Sequence, residues 1–121
     1  MGMYALVFIG GGLGAVTRFA LSTALSTHSP LERFPIGVLS CNIIGCFLIG
    51  LLVFLPTEQT PAWLPPLLVI GFLGGFTTFS SFGVEALKLF QVGALSLACA
   101  YILASVLGSL LAISLAYKLI R

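Results

Sequence analysis

A chain of 121 residues that is 60% hydrophobic and only 7% charged cannot present the surface of a soluble domain, which needs about a quarter of its residues charged. Five basic and three acidic side chains, dispersed along the sequence for a net charge of +2, are too few for a nucleic-acid surface. What remains is an all-α membrane protein: about 20 apolar residues cross the hydrocarbon core, and the chain has room for four such spans and little else.

The spans are expected at about 3–25, 36–55, 67–90 and 92–119, forming a single transmembrane domain over residues 1–121. The first has no basic region ahead of it and runs past the length of a signal segment through Arg18, so it is expected to stay in the mature protein. It holds Gly10-Gly11-Gly12-Leu13-Gly14, with Gly10 and Gly14 one turn apart, a face on which another helix can approach closely. No Lys-Ser/Thr pair follows, which excludes a phosphate-binding loop. Arg18 must snorkel, pair within the bundle or line an anion entrance.

His28 falls in the following loop with no second histidine to share a metal, and Pro35 can start the next helix. Span two carries small residues at Gly37, Cys41 and Gly45, and Asn42 is its one strongly polar side chain, either a bond between helices or a ligand. Cys41, Cys46 and Cys99, odd in number and without paired spacing, read as small buried hydrophobes. Trp63 marks the interface before span three.

Span three contains the most informative stretch, Gly71-Phe72-Leu73-Gly74-Gly75-Phe76-Thr77-Thr78-Phe79-Ser80-Ser81-Phe82. Unpaired backbone in hydrocarbon costs several kcal/mol per group, so a glycine-broken, hydroxyl-rich helix predicts a place where protein, water or an ion satisfies the backbone. The first half is expected to end near Gly74 and the second to begin near Thr77 or Thr78. Beyond the break Thr78, Ser81, Glu85 and Lys88 form one polar stripe, with Phe79 and Phe82 beside it. Span four places Tyr101, Ser105 and Ser109 on one face, as a polar pathway or as hydroxyls bonded back to their own helix. Lys118 and Arg121 on one side nearly balance Arg33 and Lys88 on the other, so the charge rule selects no orientation and both can insert and pair antiparallel.

With Gly10-x-x-x-Gly14-Ala15-x-x-Arg18 and Gly37-Val38-Leu39-Ser40-Cys41-Asn42-Ile43-Ile44-Gly45-Cys46-Phe47 ahead of it, the long motif resembles the CrcB/Fluc family of fluoride channels, in family order and over essentially the whole chain. Leu73, Ser81 and Val38 depart from the usual residues without removing a motif glycine, asparagine or phenylalanine. The resemblance implies a multi-pass protein of the cell inner membrane and a dual-topology antiparallel homodimer with two fluoride pores and a central structural sodium ion. It assigns the fluoride pathway to Asn42, Phe79, Phe82, Ser81, Thr78, Tyr101, Ser105 and Ser109, a vestibule to Arg18, and the sodium to the backbone carbonyls of Gly74 and Thr77.

Such a pathway suits the ion, because compact amide and hydroxyl donors replace water while phenyl edges attract more weakly than an arginine would. No nucleophile, acid and base come together in the sequence, so transport is expected and not catalysis. The competing readings are a small multidrug-type cation exporter, which expects an acidic residue deep in the first span where this chain has none, and a structural membrane subunit, which needs no broken helix.

Overall fold

A computed structural model describes residues 1–27 and 34–121, so the expectations for His28 and Arg33 lie outside the described residues. Four helical spans cross in order. Helix α1 is Gly2–Thr27 and α2 is Ile36–Phe54. Span three is composite: a π-helical segment Pro65–Leu73, a short α3 at Gly74–Phe76 and, after a gap, α4 at Ser80–Gln91. Helix α5 is Leu95–Ile120. Each span is apolar and long enough to cross a bilayer.

Glycines set the packing. A Cβ on Gly10 would collide with the Leu67 carbonyl, one on Gly14 with the Phe72 carbonyl and one on Gly75 with the Gly11 carbonyl, so α1 and span three meet backbone to backbone. That contact aligns α3, and with it the chain that follows. Cys41, Leu73 and Phe76 form a small buried cluster between α2 and span three. A second cluster, Ala86, Leu89, Ala98 and Tyr101, joins α4 to α5. The turn between those helices is closed by the Gly93 N–H on the Phe90 carbonyl (3.1 Å) and the Ala94 N–H on the Leu89 carbonyl (2.9 Å), with Gly93 at φ +78°. This is the Schellman end, which needs a residue that tolerates the left-handed region. The outer face of α1, with Phe8, Leu13, Val16 and Phe19 exposed, has the apolar surface that lipid requires.

The break falls later than the sequence suggests. Gly74 is helical at φ −63° and ψ −37°, and the helix continues through Phe76. Thr77 turns the chain out to ψ 155°, and α4 begins only at Ser80. Glycine permits a departure from the helix without forcing one. The last turn is closed by the Thr77 N–H (2.9 Å) and Oγ1 hydroxyl (3.0 Å), both on the Leu73 carbonyl. Cys41 is buried as expected, whereas Cys99 is exposed on the outside of α5.

Candidate functional site

The break is held from α2. Asn42 Oδ1 accepts from the Thr78 N–H at 2.7 Å, and Asn42 Nδ2 donates to the Thr78 carbonyl at 2.9 Å. One amide side chain thereby satisfies both polar groups of a residue that has left the helix, and the second N–H of Nδ2 has no partner among the described residues. Asn42 does bond between helices, and it keeps one donor for something else.

Thr78 also starts α4. Its Oγ1 accepts from the Ser81 N–H at 3.1 Å and shares a hydrogen bond with Ser80 Oγ at 3.2 Å, which satisfies one of the donors left open at the helix N-terminus. From the other side Arg18 Nε donates to the Gly75 carbonyl at 3.0 Å.

Around this junction opens a groove of about 490 Å³. The structure brings Asn42, Thr78, Phe79, Phe82, Ser105 and Ser109 together along it, with Gly74 and Thr77 at one wall. None of the residues lining it is charged. Cys46, Val106 and Leu110 complete the lining. Cys46 stands one turn beyond Asn42, and that spacing is the signal by which the sequence could have placed it here.

Three of the sequence-derived residues do not line the groove. Arg18 stands behind it on the Gly75 carbonyl. Ser81 is half-buried at the first turn of α4 and engages Thr78 through its backbone. Tyr101 is 0% exposed and lies under Phe82, with ring centroids 5.4 Å apart, while Phe34 meets it edge-on at 5.7 Å. Phe79 and Phe82 are themselves 5.4 Å apart, so three aromatic rings follow one another from the groove into the bundle. Phe79, at the outer end, is 82% exposed. The polar stripe ends outside the groove, where Lys88 Nζ approaches Glu85 Oε1 at 3.4 Å.

The hydroxyls divide into two kinds. Thr17, Thr27 and Ser114 each bond a carbonyl one turn back, at 2.7–2.8 Å. Ser105 does not: its Oγ is buried, at 6% exposure for the residue, and among the described residues it bonds no carbonyl but stands next to the Tyr101 hydroxyl one turn back. The two hydroxyls can therefore bond each other, and Ser105 also faces the groove.

The comparisons with known proteins come to the same chain from outside. A family model described as CrcB-like protein, Camphor Resistance (CrcB), matches residues 5–117. A protein of Francisella tularensis subsp. mediasiatica named fluoride-specific ion channel FluC is 46% identical, over 95% of this chain and 92% of its own. A protein of the same name from Francisella philomiragia is 48% identical over the same shares, and one from Azotobacter vinelandii is 46% identical over 93% of this chain and 91% of its own. With that pattern running through all four apolar helices, the chain belongs to the CrcB family and is a multi-pass protein of the inner membrane.

Proposed function

We propose that the protein is a fluoride-selective passive channel that works as a dual-topology antiparallel homodimer with two pores and one structural sodium ion. The observation that carries this reading is the uncharged groove in which Asn42, Thr78, Phe79, Phe82, Ser105 and Ser109 converge. The names of the FluC relatives support the choice of ion.

A small, strongly hydrated anion enters such a groove only if donors replace its water, and leaves only if none of them holds it as a fixed charge would. The second N–H of Asn42, unbonded among the described residues, and the buried hydroxyl of Ser105 supply donors. The edges of Phe79 and Phe82 carry the positive part of the ring quadrupole and add a weaker attraction. The Tyr101 hydroxyl backs the path from within. The chain is a channel protein, and these groups bind and release without chemistry.

Two further features support a second copy. The groove is open at Phe79, whose ring stands on the protomer surface, and Gly74 beside it is exposed. A two-fold partner would cover both. The carbonyls of Gly74 and Thr77 accept no hydrogen bond among the described residues, since Thr77 turns the chain away before the next turn can form. They fit a hard monovalent cation, which uses oxygen ligands and needs no acidic side chain. When bound, sodium would supply a fixed positive charge that satisfies this backbone, with the same pair offered by the partner.

The test is fluoride efflux from sealed liposomes containing the purified protein, with chloride as the control ion. Fluoride efflux well above protein-free liposomes, with chloride retained, is the expected result. Equal release of both ions, or of neither, would overturn the reading.

A further inference from the structure

We propose that Arg18 is a positioning residue for the break in span three, acting through the Gly75 carbonyl and not by gathering anions with its charge. In a continuous helix that carbonyl would accept from the Phe79 N–H. The turn at Thr77 removes this partner and leaves the carbonyl of the half-buried Gly75 without a backbone donor among the described residues. Unpaired carbonyls in hydrocarbon are costly, and the simplest relief is for the chain to rewind by a turn. Arg18 removes that incentive by donating Nε–H to the same oxygen at 3.0 Å, in a bond strengthened by its charge.

The geometry is fixed at both ends. Gly75 rests on the Gly11 backbone one helix away, and the Arg18 carbonyl accepts the Cys41 thiol at 3.9 Å, so α1, α2 and α3 meet at this arginine. Among the described residues no carboxylate pairs with Arg18, and the groove lies on the other side of the break. Rewinding would draw Thr78 away from Asn42 and carry Phe79 with it. Arg18 therefore holds the carbonyl that would otherwise compete for Phe79, and Asn42 holds Thr78 in the place so vacated.

Three substitutions separate a hydrogen-bonding role from a charge role. Arg18→Gln sets an uncharged N–H donor the same number of bonds from the backbone as Nε. Arg18→Lys keeps the charge and moves the donor one bond farther out. Arg18→Met keeps length and removes both. Two measurements apply to the full-length protein: fluoride efflux across a concentration series, which rests on the function proposed above, and the shift and exchange rate of the Thr78 amide proton, which does not. The expected result is that Arg18→Met lowers maximal efflux and speeds Thr78 exchange by about tenfold or more, as for loss of a charge-assisted bond, with half-saturation little changed. Arg18→Gln should recover most of both, and Arg18→Lys less. Lys parental with Gln and Met equally impaired, the loss lying in half-saturation and Thr78 exchange unmoved, would overturn the proposal. If the parent passes no fluoride, the amide measurement decides alone, and an Arg18→Met protein that fails to fold leaves the Gln and Lys comparison to decide.

Discussion

Asn42 meets Thr78 as one peptide group meets another, accepting from its N–H at 2.7 Å and donating to its carbonyl at 2.9 Å across two helices. Replacing Asn42 with leucine would strand both backbone groups, at about 1–3 kcal/mol each, and remove the donor facing the groove. Fluoride efflux of Asn42→Leu in liposomes is expected to fall at least about tenfold, with the loss of Thr78 pairing visible in its amide shift. Parental efflux from the leucine variant would return Asn42 to a packing role.

The two phenylalanines separate by burial. Phe79 makes little contact within its own protomer, so its replacement by isoleucine should leave the protomer fold within about 0.5 kcal/mol while lowering efflux and weakening the proposed dimer that covers the ring. Phe82 lies between Phe79 and the buried Tyr101, so Phe82→Ile should lower efflux and also cost about 1–2 kcal/mol of stability through the lost ring contacts. Paired melting and efflux measurements check both. A Phe79→Ile protein that conducts and dimerises like the parent would contradict both its place on the path and its cover by the partner.

Glycines of α1 give an internal control. A Cβ on Gly14 would run into the Phe72 carbonyl, whereas one on Gly12 meets nothing within 4 Å. Gly14→Ala is expected to destabilise the bundle by about 1–3 kcal/mol, and Gly12→Ala to be near neutral or slightly stabilising. Melting temperatures of the two detergent-solubilised variants should diverge accordingly, and a tolerated Gly14→Ala would contradict the backbone-to-backbone contact.

For the proposed antiparallel pairing the measurement is accessibility. Arg121→Cys in a background lacking Cys41, Cys46 and Cys99 should be labelled by an impermeant reagent in intact cells to about half the extent reached after permeabilisation, as equal insertion of both orientations requires. Labelling that is complete, or absent, before permeabilisation would exclude dual topology.

Sodium is tested by exchange. If carbonyls of Gly74 and Thr77 hold it, replacing sodium in the buffer by a large organic cation should lower the melting temperature, and Thr77→Ser, which keeps the same backbone oxygen, should respond to sodium like the parent. Melting that is indifferent to sodium at every concentration would remove the ion from the proposal.

The four spans were legible because hydropathy and length leave no other way to bury their backbone, and the groove residues because polar side chains in apolar helices stand out. The place of the break was not. Gly74 and Gly75 drew attention as permissive residues, but only Gly75 is in close contact with α1, Gly74 stays exposed and helical, and the chain leaves the helix at Thr77. Nor does any local pattern reveal that Asn42 binds a residue 36 positions on, or that Arg18 turns to Gly75 instead of to the groove. Helical period fixes which face a side chain occupies. Its partner depends on how the spans are set against one another.

The π-helical turn at the start of span three gives this segment slack in its length. A π turn accommodates an extra residue between two ends whose facing is otherwise that of an α-helix. Removing one residue between 67 and 70 would let Pro65–Leu73 tighten to the ordinary pitch while Gly71 and Gly75 kept their places against Gly10 and Gly11. The same deletion between 76 and 79 has no such reserve: it would shift Thr78 out of reach of Asn42 and swing both phenyl rings off the groove. Chain length is therefore adjustable before the glycines and fixed after them.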